Sequence, residues 1–367
     1  MAKAALFLLL KCATRELTPA IPIGLFCRTS LGFLTVFADS DNLRQSCMKI
    51  NSKTILMFMA SPAIFAASFI LLYFNTEGDQ VHYWRFYTAL QYAAASDVML
   101  LALGYVSSTE PITAFTLWLG AIAGIDKNIY ISFFNTLLVM GVILLLRREK
   151  AKWYIYIFIL TNFYLIVLLT TAERLKFAYL LFVYAALVSG KIKFFILALS
   201  PFAHLQALIL LASLVSAEYL KSFINLLVKF RIRKKLVILF AFMALAAAAI
   251  GLKLGEGVFA KAAIYIAGGG GLFELKNLII LLLIGIIAAR DRFRMVAAMI
   301  PILVAAFLLG GERVNMIGVS VLMYLLLIEG RLSHPAMILL QIYFSLKSVF
   351  FIHNIFVYGD GFLGFLI

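Results

Sequence analysis

Charge is scarce in this chain. Of its 367 residues only 13% are Asp, Glu, Lys or Arg, roughly half the share that a soluble domain carries. The shortage is deepest on the acidic side: 17 Asp+Glu stand against 32 Lys+Arg, a formal net charge of +15. Proline is also rare, with seven residues, and no long polar tract occurs, which leaves no room for a sizeable soluble domain. The three cysteines, Cys12, Cys27 and Cys47, include no CxxC spacing, so neither a disulfide framework nor a metal site is implied. No P-loop pattern, HExxH, DxD or paired-His spacing is found, and the Gly run at 268–271 reads as a turn. These absences argue against an ATP-driven pump and a metal-dependent glycosyltransferase, and no cofactor is expected.

What is abundant is apolar surface. Hydrophobic residues make up 64% of the chain and the mean hydropathy is +1.04. No water-soluble fold can hide that much, so a soluble enzyme or nucleic-acid binder is excluded. At roughly 20 residues per crossing, the composition predicts an all-α polytopic integral membrane protein of about ten to twelve transmembrane helices, with short interfacial or re-entrant helices besides. A single membrane domain over 1–367 is expected, in contact with membrane lipids. The excess positive charge then describes loops that anchor the cytoplasmic side.

Along the chain, 1–38 reads as one imperfect span or an interfacial hairpin, with its N-terminus retained. Ile55–Phe74 is a clear span that exits into the acidic loop Asn75–Gln80, placed outside because acidic loops do not anchor the cytoplasmic face. Val81–Tyr92 carries aromatics at helical spacing with His82 and Arg85 among them, an interfacial amphipathic pattern. Ser107-Ser-Thr-Glu-Pro111 is a helix start, and 80–126 is expected to hold short or re-entrant helices rather than ordinary spans. Spans follow at Ile129–Leu146, ending in Arg147, Arg148, Lys150 and Lys152, at Tyr154–Leu169 and at Leu175–Val188. Phe194–Val215 heads outward with a break at Ser200-Pro201. Strict alternation would then put the basic run Lys229–Lys235 outside, whereas the positive-inside tendency puts it inside; the charge cluster is the better guide. A short return segment over 217–228 would reconcile the two, as would a re-entrant 194–215. Leu236–Leu252 crosses outward, 253–276 is the longest outer loop, and Asn277–Ala289, Met295–Leu309, Val314–Ile328 and Pro335–Ile352 complete the set before an aromatic outer tail from His353.

Ionisable groups near a bilayer are expensive and usually face a cavity or a partner. The outward-facing candidates are Glu77, Asp79, His82, Arg85, Asp97, Glu110, Glu173, Arg174, His204, Glu312, Arg313 and Asp360. Two Glu-Arg corners, Glu173-Arg174 and Glu312-Arg313, echo each other at helix starts, where backbone N–H groups and the helix dipole favour an anion and Arg offers a planar fork for phosphate oxygens. Together they could grip a diphosphate, unless each Arg simply pairs with the Glu beside it. His204 lies on the order of 16 Å into its span, at 1.5 Å per residue, beside the proline break; a neutral imidazole there could take a proton or hold a sugar hydroxyl. Asp79 and Glu77 are carboxylates that could activate a sugar hydroxyl. Tyr83, Trp84 and Tyr87 could stack on sugars, or form an ordinary interfacial aromatic belt.

The ordered set of these features resembles the EpsG/Wzy group of exopolysaccharide, capsule and O-antigen polymerases. It consists of Glu77-Gly78-Asp79 with Tyr83 and Tyr87, then Glu110-Pro111, then Arg174 with Ala178, then Pro201-Phe-Ala-His204-Leu-Gln-Ala207, then Glu312-Arg313-Val-Asn315. Tyr73-Phe-Asn-Thr76 replaces that group's usual Arg-Tyr lead-in, and His204 is followed by Leu-Gln. The resemblance implies a multi-pass enzyme of the bacterial cytoplasmic (inner) membrane. Such an enzyme is a glycosyltransferase that joins undecaprenyl-diphosphate-linked oligosaccharide units on the outer face without metal or nucleotide, beside a flippase and a chain-length regulator. Asp79, His204 and Arg174 become the expected catalytic set, with Arg313, Glu110, Tyr83, Tyr87, Arg85 and Glu173 binding substrate. Two other classes compete. A flippase or transporter of the same lipid-linked sugar would suit broken helices. A membrane acyltransferase would need an acidic or basic partner for His204, and 200–208 offers only Ser200 and Gln206.

Overall fold

The computed structural model describes residues 52–229 and 275–363, with only the backbone given for 52–58, 221–229, Leu309, Glu312 and Arg313. The chain divides into two units between Phe58 and Met59. Of the first unit only the helical residues 52–58 are described; the architecture below is that of the second. The N-terminal 1–38 segment, the span at 236–252 and the loop at 253–276 fall outside the described residues, apart from the last two residues of that loop.

Fourteen helices are present among the described residues, and no strand. They are α1 (Ser52–Phe74), α2 (Asp79–Leu90), α3 (Val98–Val106), α4 (Pro111–Ile122), α5 (Lys127–Arg148), α6 (Trp153–Leu160), α7 (Phe163–Thr170), α8 (Glu173–Leu187), α9 (Lys191–Ala203), α10 (Ala207–Lys229), α11 (Lys276–Ala288), α12 (Arg292–Leu309), α13 (Gly311–Ile328) and α14 (Pro335–Tyr358). Helices α5 and α14 are long and apolar enough to cross a bilayer as they stand. Three pairs pass the same test jointly but are bent: α1–α2 by 101°, α3–α4 by 104° and α6–α7 by 48°. The described residues thus hold two straight spans, or up to five if each bent pair is one, besides shorter apolar helices.

The outer surface has the character of a lipid-facing one. Along α14, Leu339, Ile342, Tyr343, Leu346, Val349 and Phe350 are all exposed at three- and four-residue spacing, one unbroken stripe of a helix. A soluble monomer does not carry such a patch, whereas hydrocarbon accepts it as solvent. The fold is that of a polytopic all-α membrane protein.

Several boundaries differ from the sequence expectation. Tyr154–Leu169 is not one helix: Thr161-Asn162 interrupts it, and the Asn162 side chain caps α7 by accepting from the Tyr164 amide at 2.9 Å. Phe194–Val215 is interrupted not at Ser200-Pro201 but at His204-Leu205-Gln206, since α9 runs through Pro201. Pro201 has no N–H for the Leu197 carbonyl, and the Ser200 hydroxyl takes that acceptor at 2.7 Å. Residues 217–228 form no separate return segment and belong to α10. His353–Tyr358 is the end of α14 rather than a tail.

Two ends of the bundle differ in chemistry. At one, Arg148, Glu149, Arg294 and Glu218 surround Tyr324, Arg294 pairs with Glu218 at 2.6 Å, and Arg331 donates to the Ala288 carbonyl at 3.1 Å. Helix α10 leaves the His204 break and brings Glu218 to this basic end, so α9 and α10 run in opposite directions along the bundle. Beyond Lys229, the charge run 229–235 lies outside the described residues. The opposite end gathers the turn 75–78, which is shorter than expected because Asp79 and Gln80 already belong to α2, together with the α3–α4 corner, the start of α8 and the α9–α10 break. Helices α2, α3 and α4 pack there on Phe177, Ala178, Ala203 and Ala207 in a small core of their own.

Candidate functional site

The site is built around one carboxylate. Pro111 occupies the first position of α4 and disfavours helical backbone for the residue before it, so Glu110 is extended (φ −92°, ψ 103°) and caps the helix from outside. Its side chain does not cap α4. It turns inward, because Ser107 adopts a left-handed conformation (φ 46°) that ends α3 and swings the chain back. The Ser108 hydroxyl donates to Glu110 Oε2 and accepts from the Glu110 amide at 3.2 Å.

Two distant elements meet that carboxylate. Arg174 Nη1 donates to Oε2 at 3.0 Å. His204 Nδ1 lies 2.7 Å from Oε1, and the Leu205 amide donates to the same oxygen at 3.3 Å. An ionised carboxylate only accepts, so Nδ1 carries the imidazole proton; Nε2 lies 3.2 Å from Gln206 Oε1, and a neutral imidazole accepts there once the carboxamide is turned to present its NH2. The break between α9 and α10 is what exposes the Leu205 N–H. The Thr113 hydroxyl fastens the same break by donating to the Ala203 carbonyl at 2.8 Å. Glu110 and His204 side chains are 9% and 10% exposed, while Arg174 is 18% exposed and is the most open of the three. Tyr83, on α2, is buried with its phenol beside the Arg174 guanidinium. Ala178, one turn along α8 from Arg174, is wholly buried in the small core.

Glu173 and Arg174 do not pair with each other. Glu173 points the other way, into a second, fully buried cluster. Its Oε2 pairs with Lys176 Nζ at 3.0 Å, and its Oε1 lies 3.8 Å from Lys127 Nζ and accepts from Gln80 Nε2 at 3.1 Å. Lys127 also donates to Gln80 Oε1 at 2.5 Å and sits over the Trp84 ring. Gln80 and Asn75 donate to the Thr170 carbonyl, at 2.5 and 3.2 Å, and Lys176 donates to that of Leu169 at 3.0 Å. The polar strand continues inward through Asn135, which donates to Leu169 O at 2.8 Å and to Ser68 Oγ at 2.7 Å.

Of the residues singled out in the sequence, the structure brings together Glu110, Arg174, His204 and Tyr83. Glu173 adjoins them from the buried cluster. Asp79 and Arg85 are exposed on α2, as is His82. Tyr87 is buried and is used for packing: its hydroxyl donates to the Ile125 carbonyl at 3.0 Å, on the far side of α4. Glu312-Arg313 opens α13 in its first turn, as expected for a corner, but the Arg313 side chain lies outside the described residues. The objection that His204 has no acidic partner is overturned, since the partner lies 94 positions earlier, at Glu110.

Sequence reasoning missed Lys127, Lys176, Gln80 and Ser108. The span expected from Ile129 leaves Lys127 outside it, whereas Asp126 caps α5 by accepting from the Asn128 and Ile129 amides and thereby places Lys127 inside the helix. The signal for Lys176 was present: Glu173 and Lys176 are three apart, the spacing of a helical ion pair. No family model, curated protein or solved structure matches the chain.

Proposed function

We propose that this chain is a polysaccharide polymerase that joins undecaprenyl-diphosphate-linked repeat units by glycosyl transfer on the outer face of the bacterial cytoplasmic membrane. The observation that carries the reading is the Glu110 carboxylate shared between Arg174 and His204. One arm of the site is a cation suited to phosphate oxygens, and the other is an imidazole whose tautomer is fixed by a carboxylate, the arrangement of a general base and its orienting group.

In this reading the acceptor hydroxyl oxygen bonds to the anomeric carbon of the donor sugar while the bond from that carbon to the diphosphate oxygen breaks. The hydroxyl proton passes to His204 Nε2, and Glu110 stabilises the imidazolium through Nδ1–H. The departing lipid diphosphate is received by Arg174, whose charge offsets the negative charge developing on the leaving oxygen. Tyr83 supports the guanidinium. The positive-inside tendency supports the orientation, with the basic end in the cytoplasm and the site end outside.

The Glu110–His204 pair also favours a second reading, transfer of an acyl group to a glycan hydroxyl by the same base. A gel of surface and lipid-linked glycan separates them, run on cells lacking the gene and complemented with wild type, Arg174→Ala or His204→Ala. The polymerase reading expects the long ladder to vanish with either variant while single repeat units still reach the outer face. An unchanged ladder with altered acylation supports the acyltransferase. Repeat units trapped on the cytoplasmic face mean a flippase.

A further inference from the structure

Buried charge is costly unless it is paired and hydrogen-bonded, so a wholly buried cluster of two lysines and one glutamate calls for a purpose. The Glu173 and Lys176 side chains are 0% exposed and Lys127 is 1% exposed. The cluster adjoins Arg174 by one residue of chain and joins three elements. Gln80 comes from the start of α2, Lys127 from the start of α5, and Glu173 with the Thr170 carbonyl from the turn into α8. Helix α2 touches both clusters, for Gln80 binds Glu173 and Tyr83, three residues on, faces the Arg174 guanidinium.

We infer that Lys127 is a positioning residue for Arg174, acting through Gln80 and Glu173. Glu173 is the first residue of α8, directly after the Thr171-Ala172 turn. Glu173 is held on both oxygens, by Lys176 within its own helix and by Lys127 and Gln80 from two others. The contacts from Lys127 and Gln80 tie the head of α8 to α5 and α2, and Lys176 ties it to the end of α7 through the Leu169 carbonyl. With Glu173 fixed, the neighbouring Arg174 points toward the α3–α4 corner and its guanidinium meets Glu110.

This inference rests on Arg174 being the diphosphate contact, and the probe is inorganic pyrophosphate. Binding is measured calorimetrically on the full-length protein in nanodiscs, with thermal unfolding followed in parallel. Wild type is expected to bind and Arg174→Ala to lose binding. Lys127→Met should weaken pyrophosphate about tenfold, the size of a coupling between residues in one network, and Lys127→Arg should recover most of it. Gln80→Met, which cuts the bridge and leaves every charge in place, should weaken binding in the same direction and serves if Lys127→Met does not fold. Folded Lys127→Met or Gln80→Met protein that binds pyrophosphate as wild type does overturns the inference and leaves the Arg174 reading standing. Wild type that fails to bind removes the Arg174 reading, and the positioning role with it.

Discussion

At the scale of single residues, Glu110 has a role that its position before a proline does not announce. It receives donors from four sources: Ser108, Arg174, His204 and the Leu205 amide. Glu110→Gln keeps the volume but puts an amide N–H against one of those donors and removes the charge that orients His204. Chain extension is expected to fall by roughly 100-fold or more, the contribution of a positioned general base. The measurement is polymer length and rate with lipid-linked repeat units in proteoliposomes, and extension at the wild-type rate would remove Glu110 from the site. The buried pair offers a stability counterpart. Lys176→Met takes away the partner 3.0 Å from Glu173 and leaves that carboxylate with the Gln80 donor at 3.1 Å and the Lys127 contact at 3.8 Å. Breaking one side of a buried ion pair costs about 3–5 kcal/mol, read as a lower unfolding midpoint in detergent.

At the scale of elements, helix breaks and close approaches place the site. The α9–α10 break depends on a repaired proline. Ser200→Ala would leave the half-buried Leu197 carbonyl without its hydroxyl donor, at a cost of about 1 kcal/mol. Chemical denaturation of the variant checks this, and a loss below a few tenths of a kcal/mol would mean that the carbonyl finds another donor. Helix α4 is held close to its neighbours by Gly120. A Cβ there would lie 2.6 Å from the Tyr87 hydroxyl and 2.6 Å from the Tyr130 ring. Gly120→Ala must push α4 outward or displace both tyrosines, an overpacking cost of about 1–3 kcal/mol. The same shift would draw Glu110, at the head of α4, away from Arg174, so the variant should lose extension activity along with thermal stability.

At the scale of the whole molecule, polarity separates along the bundle. Arg148, Arg294 and Arg331 gather at one end, and the Glu110 and Glu173 clusters lie toward the other. The turn before α2 is closed at that second end by the C-terminal region, where the Gly359 carbonyl, at a left-handed residue (φ 72°), accepts from the Thr76 and Glu77 amides at 3.0 Å each. If the basic end faces the cytoplasm, a protein freed of its three cysteines and given one at Lys150 or Arg292 should resist a membrane-impermeant thiol reagent in intact cells. One at Glu77 should react. Labelling at Lys150 with protection at Glu77 would invert the orientation and place the site on the cytoplasmic side.

Composition alone settled the fold class, because so much apolar surface with so few charges leaves only a helical bundle in lipid as a way to satisfy the backbone. Local rules also found the Glu110-Pro111 helix start, the short helices over 80–126, the Glu-Arg opening of α8 and the place of His204 near a break. They mislocated that break, because Pro201 was read without the hydroxyl that repairs it. They also passed over Lys127, because a lysine just before an apolar run looks like a loop anchor until Asp126 is seen to cap the helix ahead of it. Which groups face one another was decided by tertiary structure alone. Glu110 meets His204 across 94 positions and Arg174 across 64, and Gln80 meets Glu173 across 93. Periodicity reports which side of its own helix a residue occupies, whereas a pairing between helices depends on how they pack and bend, and no local pattern carries that.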